Sequence, residues 1–400
     1  MSLNLDKLTN QITGMVANLR EKAGEKQEKL SLALQTLELQ APHFVDLQKK
    51  IESAKTTWLV AGLNEKIDRR IPAIQCPDDY IVVASDGSHI DVDRHHSAHC
   101  FLINIGLVQL QYGKYPDAWL SSFPSLYFKD DEIAFFTAEG LRIPIEGQLL
   151  GLKRSVEECR MLVDRATGLQ TDLPAIALLD GSLVLWGLMG QTYSDSIIQT
   201  VLVEGILQSL DKLSTIGQDH KTGLASYISF PRSTEIVNVM RLAVCPYQPV
   251  DCDYYCSGKS EGRECDVVGG LLDRDIFNQL LEHGERSALF SSRSSIVDRY
   301  YGPHKIYFFY SKVDDEVARV EMPGWVAANE VLLNTVHSVV VDQCRRGLGY
   351  PVALSEAHEQ AVVTGVEREQ FWRLVDLLLA ENRIELKTSA KQQSKRMRWI

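Results

Sequence analysis

The sequence predicts an α/β protein, a mixed sheet flanked by helices, with a helical arm at the N-terminus. Three observations predict it. Two short apolar runs, YIVVASD at 80–86 and AIALLD at 175–180, have the length and residue types of buried strands, and each closes on Asp-Gly-Ser. A β-rich stretch, CFLINIGLVQLQY at 100–112, and then a helical pattern lie between them. Ahead of all three, residues 3 to about 66 carry the three- and four-residue spacing of amphipathic helix.

The composition frames these elements. The chain has 400 residues, 45% apolar and 24% charged, which is ordinary for a globular protein with a sizeable core. Its 42 Lys and Arg against 53 Asp and Glu leave a net charge of −11, which argues against a wholly basic nucleic-acid coat protein but not against a local basic groove. No apolar run reaches the about 18 residues of a membrane span, and MSLNLDKLTNQ lacks a basic-then-apolar leader. The expectation is a cytoplasmic protein without membrane contact. Eight cysteines without such a leader read as reduced thiols.

In chain order, Leu5, Leu8, Ile12, Val16 and Leu19 form one apolar stripe, which Leu30, Leu34 and Leu37 continue. Pro42 breaks the helix and a second runs from Phe44 to Leu63. The arm, residues 1–66, is packing or dimerisation material, with partner docking as the functional alternative. Strand 80–86 follows, then one bulged strand or two strands over 100–112, with Gly106 in the middle. Residues 134–166 read as largely helical, interrupted near Pro144, with Leu152, Val156, Cys159, Val163 and Ala166 as the buried stripe. Strand 175–180, a helix over 196–213 and a strand over 224–230 come next. The stretch 245–270 is Cys-, Gly- and charge-rich and reads as an insertion. Segments 305–311 and 317–322 form a hairpin around Asp314-Asp315. Residues 326–346 and 355–381 are helical, joined through a turn at 347–351, and a basic tail runs over 386–400.

No phosphate-binding G-x-x-x-x-G-K-[ST] loop and no strand-borne G-x-G-x-x-G are present. The chain is therefore not expected to hydrolyse ATP itself or to bind a dinucleotide in the usual way. The chemistry points to the carboxylates. A glycine beside an aspartate admits close approach of a backbone or a phosphate, and two carboxylates on neighbouring strands suit a hard divalent cation. One Asp-Gly is only a common turn pair, but two copies after apolar runs count for more. Strand with Asp86, antiparallel strands, helix with Glu157 and Glu158, then strand with Asp180 is the ribonuclease-H-like order. In such a site carboxylates converge on ions that activate water and stabilise the leaving oxygen of a phosphodiester.

These residues resemble the NurA family of nucleases. IVVASDGSHIDVDRHHSAHCFLINIGLVQLQYG at 81–113 resembles that family's first motif in its bacterial form, and LLDGSL at 178–183 its second. FPRS at 230–233, FFYSKV at 308–313, RVEMPGWVA at 319–327 and GYPVALSEAHEQAV at 349–362 follow in order. The resemblance covers roughly residues 75–370, within a nuclease domain of 67–385. It implies a metal-dependent 5′-to-3′ DNA exonuclease, with single-strand endonuclease activity as a further expectation, acting in end resection at double-strand breaks. It also implies a homodimer working on DNA ends with a hexameric HerA-type ATPase translocase. The family site of two aspartates, a glutamate, a tyrosine and a histidine maps onto Asp86, Asp180, Glu157 or Glu158, Tyr350 and His358. Manganese is the expected metal, magnesium the alternative, and Asp86, Asp180 and His358 its expected ligands. The competing readings are a catalytically silent adaptor that regulates a translocase, and a metal-dependent phosphatase on small substrates.

Other groups weigh less. Tyr350 sits at a turn and His358 about two turns into the following helix, so both can face one cleft. His89, His95, His96 and His99 suggest a metal cluster but read better as loop residues. Cys245, Cys252, Cys256 and Cys265, spaced C-x6-C-x3-C-x8-C, lack the C-x2-C knuckle of a zinc or iron–sulfur site, and neither is expected. Arg232, Lys312, Arg345, Arg346 and the tail's Lys387, Lys391, Lys395, Arg396 and Arg398 are candidate phosphate contacts.

Overall fold

The computed structural model describes residues 5–92, 98–137, 139–189, 193–217, 222–259 and 262–384. His95, His96 and the basic tail lie outside them. The chain forms two compact units, and their boundaries fall elsewhere than at residue 66. One unit comprises residues 1–73, 228–298 and 307–320, the other 74–227, 299–306 and 321–400.

In the first unit the N-terminal helix runs Leu5–Gln40, Pro42 opens a single tight turn at Ala41–His43, and a second helix covers Phe44–Ser53. Leu30, Ala33 and Leu37 are buried in a core shared with Ile236, Val239 and Met240. The N-terminal half of the same stripe behaves differently, since Leu5, Ile12, Val16 and Leu19 are exposed. The second helix stops ten residues short of the expected Leu63. Thr56, Thr57 and Gly62 are weak helix formers, and the chain finds strand partners instead. The Lys55 amide donates to the Val250 carbonyl at 2.9 Å, and Gly62–Leu63 pairs antiparallel with Phe290–Ser291. The expected hairpin is present as Ile306–Val313 and Glu316–Pro323, turning at Asp314 with φ +48°. The Cys-rich stretch carries two short helices, Cys252–Tyr255 and Glu264–Val268.

The second unit is a mixed sheet flanked by helices. Its strands run in the order Asp117–Tyr127, Phe101–Tyr112, Tyr80–Ile90, Ala175–Asp180, Thr222–Ile228. The first three are antiparallel neighbours, and the last three are parallel. Three differences from the sequence reading stand out. The strand bearing Asp86 does not end at Asp-Gly-Ser but continues to Ile90, because Ser88 and Ile90 go on pairing with Asn104 and Leu102. The 100–112 stretch is one continuous strand without a bulge. Residues 134–137 and 139–146 are not helical: Ala134–Phe136 and Arg142–Pro144 form a small hairpin. Ile133, Phe135, Phe136 and Ile143 are β-formers, and the helix begins only at Gln148, beyond Pro144 and Gly147.

Alternation along Tyr80–Ile90 sorts the covering helices. Odd positions face the helix Gln148–Thr167: the Ser85 hydroxyl donates to the Glu158 carbonyl at 3.0 Å. Even positions face the helix Val352–Ala361: the Ser88 hydroxyl donates to the Ala361 carbonyl at 2.5 Å. Asn104 Nδ2 donates to that carbonyl as well, at 2.8 Å, which satisfies the end of the helix on the sheet. Gly106 explains how the helix comes so close. A Cβ there would stand 2.1 Å from the Ala357 carbonyl oxygen.

Candidate active site

Register brings the two aspartates together. Ser85 pairs with Leu179 across the parallel ladder, so Asp86 and Asp180 are the next residues on adjacent strands and point to the same face. Asp180 is the last residue of its strand, and Gly181 turns the chain with φ +85°. The helix Val352–Ala361 supplies the groups opposite. His358 Nδ1 lies 2.7 Å from Asp86 Oδ2, an arrangement in which the ring nitrogen donates and Nε2 is left for another partner. Tyr350, one residue ahead of Pro351 and the helix start, donates its hydroxyl to Asp180. Its ring is set edge-on against Tyr227, centroids 5.5 Å apart. The Tyr350 hydroxyl is held far above its ordinary range, first by burial and then by Asp180, so it stays a donor.

The two glutamates separate. Glu158 is buried and reaches the sheet from the opposite face, under Gly87. Gly87 is a glycine for this reason: its Cβ would stand 2.4 Å from Glu158 Oε1. Burial pushes the Glu158 carboxyl up to about 7, with Asp86 and Asp180 adding to the rise and Arg154 opposing it. Asp180 is raised also, again first by desolvation, and Asp86 contributes. Glu157 turns the other way. It pairs with Arg160 and stands 3.9 Å from Lys153, on a groove of about 640 Å³ that Thr200, Glu204 and Lys212 also line. Of the two candidates, only Glu158 is coupled to the aspartates.

Two residues went unnoticed in the sequence. Arg154, one turn before Glu158, places its Nε 2.9 Å from Glu158 Oε1 and opposes the rise of that carboxyl's pKa. Glu321, buried in RVEMPGWVA, accepts from the Ser182 hydroxyl at 2.8 Å and the Leu183 amide at 2.9 Å. It thereby fixes the loop that leaves Asp180. Neither shows in local sequence, because each role depends on a fold contact.

The remaining candidates do not join this group. His89 is half-buried, with Nε2 3.7 Å from Asp91, and burial lowers its pKa. Arg345 and Arg346 both pair with Asp342 at 2.5 Å, and Lys312 donates to the Asn278 carbonyl at 2.8 Å. Cys245, Cys252, Cys256 and Cys265 are free thiols. Among the described residues no three His, Cys, Asp or Glu side chains are gathered closely enough to hold a metal ion. At the carboxylates, Asp86 is engaged by His358 and Glu158 by Arg154. The donor set itself fits a hard cation. Asp86 adds to the rise at both Asp180 and Glu158, and a bound divalent charge would relieve that repulsion.

The sequence matches the family described as the NurA domain over residues 80–363. No curated protein matches significantly. Among solved structures, a crystal structure of NurA is similar at 11% identity and TM-score 0.31, over 88% of this chain and 93% of that one. The Argonaute of Aquifex aeolicus is similar at 8% identity and TM-score 0.23, over 71% of this chain and 28% of that one. LC9-RNase H1, a type 1 RNase H with the type 2 active-site motif, is similar at 9% identity and TM-score 0.20, over 42% and 72%. At these scores the structural likenesses carry no argument. Among the described residues no helix is long and apolar enough to cross a membrane.

Proposed function

The chain belongs to the NurA family of nucleases, and from that premise we propose that it is a metal-dependent deoxyribonuclease acting on DNA ends. The observation that carries the reading is the pairing of Asp86 and Asp180 on adjacent parallel strands, with His358 engaging Asp86 from one helix and Tyr350 engaging Asp180 from the turn that leads into it. We read the second unit as a ribonuclease-H-like sheet in which these carboxylates meet the phosphodiester.

Asp86 and Asp180 would hold the divalent ion, manganese or magnesium, with His358 as a further ligand or as the proton carrier beside it. When bound, such an ion activates water and offsets charge on the phosphate. The chain's own residues do the rest. Asp86 orients the imidazole through Nδ1, which leaves Nε2 to take a proton from water or return one to the leaving oxygen. Tyr350, held neutral, donates its one hydroxyl proton to Asp180 and so orients that carboxylate. Glu158, half-protonated near neutral pH, adjusts the charge of the site from behind the sheet.

The wider assignment is 5′-to-3′ digestion in double-strand-break end resection, by a homodimer working with a HerA-type hexameric translocase. Incubating the purified chain with linear and with covalently closed duplex DNA tests the core of it. Nucleotide release from linear DNA alone, stopped by a chelator and restored by manganese, is the expected result. Release from free nucleotide monoesters but not from DNA would favour a small-molecule phosphatase instead.

A further inference from the structure

We infer that Phe230 is a stacking platform for an unpaired nucleobase, an inference that rests on the nuclease reading above. Phe230 lies just past the strand Thr222–Ile228, three residues along the chain from Tyr227. Its φ is +48°, in the left-handed region that a bulky side chain adopts only at a cost. The residue is 61% exposed. A strained backbone and an apolar ring in water are both unfavourable, yet the surrounding residues enforce them.

Glu316 Oε1 accepts from the Phe230 amide at 2.5 Å and from the Ser229 hydroxyl at 2.7 Å. Arg274 Nη1 donates to the Phe230 carbonyl at 2.9 Å. The same guanidinium lies over the ring, 3.4 Å from its centroid. Both backbone polar groups and one ring face are therefore fixed by charged side chains, and solvent meets the other face. Arg232, two residues on, is exposed and makes no hydrogen bond or ion pair among the described residues.

A rigid ring with a cation behind it and an open face in front matches a nucleobase. Every base has such a face, so the contact is tolerant of sequence, and Arg232 supplies a charge for the adjoining phosphate. A base stacked within a duplex has no free face to offer. The partner is accordingly single-stranded DNA, or the frayed terminal nucleotides of a duplex.

The test uses the full chain, a short single-stranded oligonucleotide carrying 2-aminopurine, and a chelating buffer that prevents cleavage. Wild type is expected to bind and to quench the 2-aminopurine fluorescence by stacking. Phe230→Leu keeps apolar bulk without a π face and should bind about 5-fold to 100-fold more weakly and lose the quenching. Phe230→Trp should retain both. Equal affinity and quenching in wild type and Phe230→Leu, loss in Phe230→Trp as well as Phe230→Leu, or no binding by any of them overturns the inference. Manganese-dependent hydrolysis of a small chromogenic phosphodiester by wild type, lost in Asp180→Asn, is scored separately. It tells failure of the platform alone from failure of the nuclease reading.

Discussion

Glu158 is a carboxyl kept out of water, and its titration gives the first prediction. Its ordinary value of 4.5 rises to about 7 in the folded chain. Between those values the folded protein holds a proton that the unfolded chain has released, so stability falls as pH rises through this window. Glu158→Gln mimics the protonated form. In metal-free protein it should match wild type at pH 4 and exceed it at pH 8 by up to about 3 kcal/mol. Denaturant melts at the two pH values check this, and a Gln variant less stable than wild type at pH 8 would contradict it. The functional residues were unevenly legible in sequence. Asp86, Asp180, Tyr350 and His358 each sit in a short motif that also sets local backbone. Glu157 and Glu158 both flank one helical stripe, so spacing alone left them equivalent; that Gly87 makes room for Glu158 is visible only in three dimensions. Glu321 reaches Ser182 across 139 residues of sequence, a distance no local pattern spans.

At the scale of elements, Gly106 controls the placement of the helix that bears His358. Adding a methyl group there drives it into the Ala357 carbonyl and toward the Ala361 amide, 2.5 Å from the Cβ position. Backbone cannot rotate away as a side chain would. Gly106→Ala should therefore cost about 1–3 kcal/mol of stability and lower nuclease activity far more than that loss of folded protein explains. A melt combined with a rate measurement separates the two effects; full activity per folded molecule would show that the helix position does not matter. The same glycine was visible in sequence in the middle of a β-rich stretch, and one bulged strand or two strands were the expectation. Close approach of a helix is what the glycine allows, and periodicity is blind to it. The strand Asp117–Tyr127 was missed because it is an edge strand with much of its surface exposed, including Pro124. The helix expected to reach Leu63 gave way to strand pairing with residues more than two hundred positions later, a tertiary contact that overrides weak local propensity.

For the whole molecule, the N-terminal helix divides into a core half and an exposed half. Leu30, Leu37, Leu47 and Ile51 are buried, so removing residues 1–66 would strip the first unit's core. A cut after Gly24 removes the exposed Leu5, Ile12, Val16 and Leu19 and keeps that core. We predict that this shorter chain folds with a near-normal melting temperature but loses homodimerisation or translocase binding, read by light scattering and co-sedimentation. An unchanged dimer that still binds the translocase would exclude the exposed stripe from assembly. The α/β class and the nuclease family were legible from two Asp-Gly-Ser strands and the ordered motifs after them. The two-unit partition was not, because each unit is assembled from three separated stretches of chain.

On the proposed nuclease reading, Asp86 and Asp180 together form the catalytic centre. Asn at either position keeps the shape and removes the charge that a divalent ion requires. The decisive measurement is the initial rate of nucleotide release from linear duplex DNA with manganese, for wild type, Asp86→Asn and Asp180→Asn, each shown to be folded by its melting curve. Loss of about 4 kcal/mol or more of transition-state stabilisation corresponds to a rate about a thousand-fold lower in each variant, and that is the predicted result. A rate within a few-fold of wild type in either folded variant would contradict it.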